Sequence, residues 1–569
     1  MLLSPSLLTE SELICEGEGM PFLRLKAKLS EVLGVSQIRS ISARSFSFPL
    51  ESASAVMDIL IEAFGSVPDV LKEQHAVFEE HEAARDEAMD IIIEKRILPL
   101  EGKWSETLDE AQAIAVSAMT VPGLKGLCLF DEQGIGKTAT AIAAFDVLKE
   151  RGQADCLVVV SPVTMKSGWK TEITEKFLPD KYNVIVLEGS AATNRATLIG
   201  NPLFDVLVCN FEAVEGLLVA LKGILGRRKA VLVVDESFNV KNKDAARSEA
   251  VRDLRRSCVR AFVLCGTPAP NSEVDVIHQY DIADDGYTFG GFVVPKDEED
   301  RRERINQRIE ERGTTIRRLK EEVLPDLPDK AFHMVQVAMT GKQASIYEEA
   351  RSKLVLSLKS MDNATFKKSL TTYFQQRNVL LQICACPEAL DPSFADASAK
   401  MVALDALVRD IVEVKGKKLV IWSFYKASLN SIMKLYAKHK PVLLDGSSSA
   451  AERGESVKRF QTDESVRICV ANPAAAGAGV TLHAASDAVY ISHSNQAAHF
   501  LQSLDRIHRR GQMSPTTDYY LFVCKGTIEE GEVQRLREKE VRQNRLLGDR
   551  VKWPNSLDDA LAELSISHE

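Results

Sequence analysis

The chain has 569 residues, of which 45% are hydrophobic and 27% are charged, and its formal net charge is −10. This length exceeds what one compact core holds, so several domains are expected. The sequence has no apolar run long enough to cross a bilayer, and its start has no basic region ahead of an apolar one, which argues against a membrane protein and a secreted protein.

Cysteine spacing and net charge limit which metal sites and nucleic-acid contacts the chain can have. The ten cysteines are scattered, and the closest two, Cys384 and Cys386, lack the spacing of a zinc site. Reduced thiols are therefore expected, with a location in the cytoplasm or at the nucleoid or nucleus. Because the chain is acidic, any contact with nucleic acid must lie in a local basic groove.

Residues 1–95 are predicted to form a small accessory α/β module. Apolar residues at helical spacing predict helices over residues 22–33 and 53–64, and alternating apolar residues between them predict strands over residues 41–48. Residues 73–94 are predicted to form a charged, solvent-exposed helix that connects this module to the rest of the chain. We expect a protein partner, if the chain has one, to bind through this module.

A phosphate-binding loop is predicted at residues 131–138, between an apolar run that predicts a strand and an alanine-rich segment that predicts a helix. In this setting Gly134 and Gly136 can turn backbone N–H groups toward an anion at the start of the helix. Lys137 can then reach the β- and γ-phosphates of a nucleotide, and Thr138 can bind Mg²⁺. The predicted ATP-binding residues of this loop are Asp131, Glu132, Gln133, Gly134, Ile135, Gly136, Lys137 and Thr138.

Two carboxylates, Asp235 and Glu236, follow the apolar run of residues 230–234. Such a run is typical of a central parallel strand, and open α/β sheets bind ligands at the carboxyl ends of their strands. The pair is therefore predicted to lie at a ligand-binding edge, with an acidic turn after a core strand as the alternative.

These two segments resemble motifs I and II of the Swi/Snf-like branch of superfamily-two helicases. Later segments follow in the order of that family: residues 264–268 resemble motif III, residues 418–424 motif IV, residues 474–482 motif V and residues 502–512 motif VI. The resemblance covers about residues 105–535. It implies two RecA-like lobes that hydrolyse ATP, with Mg²⁺, while the protein moves on duplex or branched DNA.

The resemblance also implies roles for single residues near the nucleotide. Asp235 and Thr138 would hold Mg²⁺, while Glu236 would orient and deprotonate the attacking water. Gln112, shortly before the loop, would read adenine through its amide. The residues implied to be catalytic are Lys137, Asp235, Glu236, Arg506 and Arg509.

Motif VI is predicted to be a helix that carries Arg506 and Arg509. Two residues three apart lie on one face of a helix, so both guanidinium groups could point at a γ-phosphate held by the first lobe. A charged surface helix is the alternative.

Contacts with DNA, and their link to the nucleotide, are implied at other strand ends. The residues expected to couple the two are Gly266, Thr267 and Pro268. The residues expected to contact DNA are Ser161, Pro162, Asn210, Phe424, Gly479 and Thr481. Phe238 departs from the annealing-helicase branch, which has a histidine there, and a phenylalanine cannot make the polar link of that histidine between the nucleotide and DNA motifs.

The predicted fold is α/β, with two parallel-sheet lobes. The predicted division is an accessory module (1–95) that resembles the HARP module of annealing helicases or is an unrelated cap, a first lobe (96–285), a helical interlobe segment (286–398), a second lobe (399–535) and a tail (536–569). Two other functions fit the sequence: a motor that displaces proteins such as a polymerase from nucleic acid, and a nucleotide-dependent switch or scaffold with little turnover.

Overall fold

A computed structural model shows the chain as two compact units, one formed by Met1–Glu132 with Gly136–Leu319 and the other by Gln133–Ile135 with Lys320–Glu569. The residues that the structure describes are 4–9, 12–33, 38–49, 53, 56–100, 102–269, 272–290, 292–339, 341–391, 393–394, 396–474, 480–493, 497–542 and 556–565. Among these residues, no helix has the length and apolar character needed to cross a membrane.

The first unit begins with a small antiparallel sheet and three helices. The strands are β1 (Ser4–Thr9), β2 (Glu12–Glu16), β3 (Arg39–Ser42) and β4 (Ser45–Pro49), and the helices are α1 (Gly19–Leu33), α2 (Met57–Phe64) and α3 (Lys72–Ile93). The strand order is β1-β2-β4-β3. The predicted helices and the strands between them are confirmed, while β1 and β2 were not predicted.

Helix α3 is not the solvent-exposed connection that its charge predicted. Ala84, Ala88 and Ile91 are buried in the same hydrophobic core as strands of the large sheet that follows. With Phe78 and His81 they form a buried stripe at spacings of three and four residues, which one helical face can bury while the charged residues stay in water. The prediction was wrong because small alanines gave this face little weight beside the many charges.

The large sheet of the first unit has seven parallel strands in the order β11-β5-β10-β9-β6-β8-β7. These strands are β5 (Gly126–Leu129), β6 (Cys156–Val160), β7 (Val184–Val186), β8 (Val206–Cys209), β9 (Ala230–Asp235), β10 (Arg260–Leu264) and β11 (Thr315–Ile316). The helices are α4 (Trp104–Thr107), α5 (Glu110–Met119), α6 (Lys137–Glu150), α7 (Lys166–Thr171), α8 (Ala191–Gly200), α9 (Phe211–Leu225), α10 (Ala246–Arg255), α11 (Ile277–Asp284) and α12 (Glu298–Arg312). The central strands are buried along their whole length, as expected for a sheet covered on both faces.

The second unit contains a six-stranded parallel sheet in the order β12-β17-β16-β13-β15-β14. Its strands are β12 (Asp329–Val337), β13 (Leu419–Trp422), β14 (Val442–Leu444), β15 (Ile468–Ala471), β16 (Asp487–Tyr490) and β17 (Thr516–Cys524). Its helices are α13 (Lys320–Val323), α14 (Gly341–Lys359), α15 (Asn363–Lys368), α16 (Leu370–Ala385), α17 (Ala399–Val408), α18 (Lys426–Leu435), α19 (Ala450–Thr462), α20 (Ala497–Leu504), α21 (Glu529–Arg542) and α22 (Leu557–Ser565). The predicted α/β class with two parallel-sheet lobes is confirmed.

The predicted interlobe segment, residues 286–398, does not form a body of its own. The two units divide inside it, between Leu319 and Lys320. Strand β12, within this segment, pairs with β17 over nine residues as the edge strand of the second sheet. Apolar and polar residues do not alternate cleanly along β12, so its sequence gave no clear sign of a strand.

The predicted C-terminal tail, residues 536–569, includes a helix that is anchored by charge. Glu563 of α22 accepts hydrogen bonds from Arg377 and Arg535, and all three are at most partly exposed. Burial raises the pKa of Glu563, but the bonds and charges of these arginines outweigh it and hold the pKa at about 2. The helix is therefore fixed to the second unit by an ionised carboxylate.

Candidate nucleotide site

The predicted phosphate-binding loop connects β5 to α6. Gly134 and Gly136 have φ angles of 90° and 114°, in the left-handed region that glycine adopts most readily. At Gly136 a Cβ atom would also lie 2.3 Å from Gln112 Nε2, so a side chain there would require the Gln112 amide to move away from the loop. Helix α6 begins at Lys137, and its first N–H groups lie in the loop, where an anion can accept them.

Lys137 is held over this loop by main-chain oxygens. Its Nζ atom donates hydrogen bonds to the carbonyl oxygens of Asp131 at 2.8 Å and Glu132 at 3.2 Å. Thr138, the next residue of α6, is half-buried. Both predicted phosphate and metal ligands therefore lie in the first turn of the helix that follows the loop.

Gln112, the predicted adenine reader, contacts the loop through its amide. Its Oε1 atom accepts the backbone N–H of Asp109 at 3.2 Å, which completes a capping box at the start of α5. Its Nε2 atom donates to the carbonyl oxygen of Gly136 at 3.4 Å. In this structure the amide thus supports the loop and its own helix.

The Asp131 carboxylate is fully buried and pairs with Arg318. Asp131 Oδ1 accepts from both the backbone N–H and Nε of Arg318, each at 3.0 Å, and Oδ2 accepts from Nη2. Strand β11, two residues before Arg318, runs parallel to β5. The carboxylate that stands where a general phosphate-binding loop has glycine therefore anchors residues 315–318 beside the loop.

The acidic pair lies at the carboxyl end of β9, as predicted. Asp235 Oδ2 accepts the indole N–H of Trp169 at 2.8 Å, and Oδ1 accepts the backbone N–H of Glu236 at 2.9 Å. Burial raises the pKa of Asp235, against the opposing effects of the Trp169 bond and the positive charge of Lys137. Glu236 has φ 50°, a left-handed conformation that is uncommon outside glycine and that four other non-glycine residues of the described chain also adopt.

The predicted coupling residues follow the neighbouring strand β10. Gly266 and Pro268 offer carbonyl oxygens to side chains of the first unit: Arg317 Nη1 lies 3.5 Å from Gly266 O, and Gln279 Nε2 lies 2.7 Å from Pro268 O. Arg317 Nη1 also donates to Phe130 O, in the loop segment, at 2.6 Å. The turns after β5 and β10 thus share one arginine.

The predicted DNA contacts lie at strand ends of both sheets. Ser161, after β6, is fully buried, so its hydroxyl is not exposed for contact with DNA. Asn210, after β8, donates to Glu212 at 2.6 Å. The others for which the structure gives a position are partly exposed: Pro162, Phe424 and Thr481. Gly479 and the rest of residues 475–479 lie outside the described residues.

The predicted motif VI helix ends before its arginines. Helix α20 stops at Leu504, and Arg506 and Arg509 lie in the turns that follow. Both nevertheless donate to one oxygen, since Nη1 of each lies 3.3 Å from Val480 O. The sequence was right to bring the two arginines together and wrong about the helix.

Groups from outside α20 bind carbonyl oxygens at its end and in the turn that follows. Leu504 O accepts the hydroxyl of Tyr519 at 2.8 Å, and His508 O accepts Lys320 Nζ at 3.0 Å. Arg506 O accepts the backbone N–H of Leu482 at 2.9 Å. Leu504 O also keeps the backbone N–H of His508 at 3.3 Å, whereas the oxygens of Arg506 and His508 are used by groups outside the turn instead of by a continuing helix.

Four residues that support these turns from outside them were not predicted: Gln279, Arg317 and Arg318 in the first unit, and Lys320 in the second. The two adjacent arginines were a visible signal, but their partners lie about 190 residues earlier in the chain. Gln279 lies on a buried helix and had no signal of its own.

Two family models match the chain. The SNF2-related domain model matches residues 103–388, and the model of the helicase conserved C-terminal domain matches residues 399–511. The first match alone covers half of the chain. Together they include each predicted motif from the phosphate-binding loop to residue 511.

Curated relatives agree with these models. The ISWI chromatin-remodeling complex ATPase ISW2 of Saccharomyces cerevisiae is 27% identical over 72% of this chain and 38% of its own length. The DNA annealing helicase and endonuclease ZRANB3 of Mus musculus is 27% identical over 76% of this chain and 40% of its own length. The SWI/SNF-related matrix-associated actin-dependent regulator of chromatin subfamily A-like protein 1 of Xenopus tropicalis is 27% identical over 73% of this chain and 42% of its own length.

The chain thus spans about two fifths of the length of these curated relatives. The predicted resemblance is confirmed by the family models, and the chain belongs to the SNF2-related, Swi/Snf-like family of superfamily-two helicase enzymes.

Proposed function

We propose that this chain is an ATP-dependent DNA translocase or remodeller, which hydrolyses ATP while it moves along duplex or branched DNA. The observation that best supports this function is the strand order of the first sheet. Strands β5, β10 and β9 are neighbours, so the phosphate-binding loop, the turn at Gly266 and the acidic pair at Asp235 end side by side. Strands β6 and β8 continue the same edge with the turns at Ser161 and Asn210. One edge can thus hold a nucleotide on one half and a DNA strand on the other.

In this proposal the first unit supplies the hydrolytic groups. Lys137 neutralises charge on the β- and γ-phosphates, and Glu236 orients the attacking water and takes its proton. Glu236 directly follows β9, so it lies at the edge where phosphates would bind in this proposal. Gln112 supports the loop from α5, as its bond to Gly136 indicates.

Mg²⁺ is the proposed cofactor, and Asp235 with Thr138 would hold it. Both offer oxygen atoms, which this ion prefers, and it commonly binds through one or two carboxylates, waters and phosphates. Burial of Asp235 makes its negative charge costly without a cation nearby, which also fits a metal ligand. When bound, the ion would offset the negative charge of the phosphates.

The second unit is proposed to contribute Arg506 and Arg509 to the γ-phosphate during turnover. Arginine suits this role because its planar guanidinium group stays charged and binds phosphate oxygens in a bidentate manner. His508 lies between them, and burial and the nearby Lys320 lower its pKa to about 4, so at neutral pH it adds no positive charge. The positive charge of this turn therefore comes from its arginines, of which Arg506 and Arg509 share Val480 O while Arg510 is exposed.

The proposal is tested by the rate of ATP hydrolysis by the full chain without DNA and with single-stranded, duplex or forked DNA. We expect duplex or forked DNA to raise the rate, since contacts with DNA are proposed on the same sheet edge as the nucleotide. Glu236→Gln is the control, because it should bind nucleotide and fail to hydrolyse it. A rate that none of the DNAs changes would contradict the proposal and favour a nucleotide-dependent switch.

Movement requires a separate measurement. We expect the protein with ATP to displace a third strand bound to a duplex, and to fail with a non-hydrolysable ATP analogue. Stimulated hydrolysis without displacement would leave a DNA-dependent ATPase that does not translocate. Affinity for DNA should fall with salt in proportion to the phosphates neutralised.

A further inference from the structure

Gln279 is a buried amide that joins two turns of the proposed nucleotide site. It lies in α11 and its side chain is 0% exposed. Its Oε1 atom accepts the hydroxyl of Ser237 at 2.5 Å, and its Nε2 atom donates to the carbonyl oxygen of Pro268 at 2.7 Å. Nε2 also donates to Asp275 O, one turn earlier, at 2.6 Å. The last bond fixes the amide, so that its other two bonds span the gap between the turns.

These two turns have roles in the proposed function, one in hydrolysis and the other in coupling to DNA. Ser237 directly follows Glu236, the left-handed residue proposed to activate water, and is itself fully buried. Pro268 closes the Gly-Thr-Pro turn after β10. A second tie runs in parallel, since Lys241 Nζ lies 3.3 Å from Asp275 Oδ2. The segment after the acidic pair is thus bonded at two points to the segment that carries Gln279.

The Gly-Thr-Pro turn has a further hydrogen-bonding group to satisfy. Among the described residues, the Thr267 Oγ1 atom is buried without a hydrogen-bond partner. A buried hydroxyl without a partner costs free energy, which a rearrangement of the turn can recover. A rearrangement of this turn could satisfy the hydroxyl, and Gln279 bonds the turn to Ser237, which directly follows the acidic pair.

We propose that Gln279 is a positioning residue that couples the Glu236 turn to the Gly266–Pro268 turn, and that through it DNA binding accelerates hydrolysis. The inference rests on the proposed function. It also accounts for Phe238: where a phenylalanine replaces the histidine of the annealing-helicase branch, the polar link between the two turns is made by Ser237 and an amide from α11.

The chemistry of the amide makes the role specific to glutamine. One end accepts from Ser237 while the other donates to two carbonyl oxygens. Leucine has a similar size and neither function, and glutamate would place an acceptor against those carbonyl oxygens. Gln279→Leu therefore removes the link while largely keeping the packing.

The test measures the rate of ATP hydrolysis at saturating ATP, with and without duplex DNA, and nucleotide affinity, for the full chain and its variants. For Gln279→Leu we expect the DNA-stimulated rate to fall roughly tenfold, within the usual range of a coupling between two sites. The rate without DNA and the nucleotide affinity should change by less than about twofold. A variant that had only lost stability would not lower the ratio of the two rates in this way.

The chain offers a matched control in Gln343, another glutamine that is 0% exposed. Its Nε2 atom donates to Ile383 O at 2.9 Å and its Oε1 atom accepts from Ala399 N at 3.0 Å, all within the second unit. Gln343→Leu removes the same kinds of bond far along the sequence from the site. It should leave the stimulation ratio unchanged.

Ser237→Ala gives a milder second variant, which keeps the proposal testable if Gln279→Leu fails to fold. It should lower the ratio in the same direction, and adding it to Gln279→Leu should have no further effect, because both break one link. If DNA stimulated hydrolysis fully in Ser237→Ala or in folded Gln279→Leu, the proposed coupling would be overturned, and the proposed DNA-dependent ATPase would stand. A wild-type chain that DNA does not stimulate would overturn the proposed function and the coupling with it.

Discussion

The carboxyl edge of the first sheet and the amino edge of the second, where the turn with Arg506 precedes β17, are built in different ways. At the first, left-handed backbone at Gly134, Gly136 and Glu236 shapes short loops, and Lys137 is held by main-chain oxygens of its own loop. At the second, the turn that carries Arg506 is held by Gln512 within the turn and by Tyr519 and Lys320 from outside it. The backbone shape of the phosphate-binding loop is thus set mainly by residues within it, although Arg317 and Arg318 contact its start, whereas the turn with Arg506 depends on side chains outside it.

This difference decides what each edge can tolerate. A local loop keeps its shape when a functional side chain is removed, because glycines and strand ends determine that shape. A turn held by distant side chains depends on each of them. Substitutions at the first edge should therefore change chemistry with little change in stability, while substitutions around the second should change both.

The largest expected effect is at the first edge. Lys137→Ala should abolish ATP hydrolysis and weaken nucleotide binding, because one of the few groups that neutralise the β- and γ-phosphates is lost. Lys149→Ala, at the other end of α6, removes a lysine that pairs with Asp205 at 2.8 Å and is the control. Steady-state hydrolysis and the unfolding temperature of both variants decide the matter. If Lys137→Ala still hydrolysed ATP, the loop would not be part of the active site.

The second edge gives the next largest effect. Arg509→Ala should reduce turnover by about 10³, the scale of a lost arginine finger, with a smaller effect on nucleotide affinity. Arg510→Ala changes the exposed neighbouring arginine and should leave turnover near that of the wild type. Turnover and nucleotide affinity are measured in parallel for Arg506→Ala as well. Near-normal turnover for both Arg506→Ala and Arg509→Ala would rule out their proposed role.

Local and tertiary origins also explain what the sequence could predict. The loop at Gly136 was predicted in full, since a strand, two glycines and a helix stand within a few residues. The predicted helix through Arg506 was wrong, because a turn bonded to Tyr519 and Lys320 follows Leu504, and no spacing in the motif indicates these partners. Asp131 fits the family pattern, yet its pairing with Arg318 became visible only when β11 was found beside β5.

The stability of the second edge is tested at Asp505. This carboxylate is buried and bonds Lys320, which is itself 3% exposed and also donates to His508 O. Burial raises the pKa of Asp505, but the charges of Lys320 and Lys330 outweigh it, so the pKa is lowered and the group is ionised. Asp505→Asn leaves the ammonium group without its anion and should cost about 3–5 kcal/mol, as breaking a buried ion pair does.

The measurement is the urea midpoint of the transition that reports on the second unit. Glu349→Gln, which breaks an exposed pair with Lys353 in the same unit, is the control and should leave the midpoint unchanged. We also expect Asp505→Asn to hydrolyse ATP more slowly than its remaining folded fraction would allow, because the pair of Asp505 and Lys320 holds the turn with Arg506 and Arg509. A midpoint equal to that of the wild type would show that Lys320 does not depend on Asp505.

The smallest predicted effect concerns α3, the helix that attaches the N-terminal elements to the first unit. His81 is 1% exposed, its Nδ1 accepts the backbone N–H of Lys125 at 3.1 Å, and its ring meets the edge of Tyr287 at 4.5 Å. Burial, followed by the charges of Lys125, Arg255, Arg260 and Arg85, lowers its pKa to about 3. The native ring is therefore neutral at pH 5, whereas in the unfolded chain, with a pKa of about 6.5, most of it is protonated.

The unfolded state binds the extra proton at His81. The contribution of His81 to the free energy of unfolding is therefore complete above pH 6.5 and is lost as the pH is lowered toward 3. Between pH 7 and pH 5 this histidine should account for about 2 kcal/mol of lost stability. His81→Asn keeps an acceptor near the position of Nδ1 and cannot be protonated in this range. From pH 7 to pH 5 its free energy of unfolding should therefore fall by about 2 kcal/mol less than that of the wild type. His75→Asn, nearer the surface of the same helix, is the control. Unfolding of the three proteins at pH 7 and pH 5 gives the comparison, and an equal loss in wild type and His81→Asn would show that the first unit admits a proton at His81 without opening.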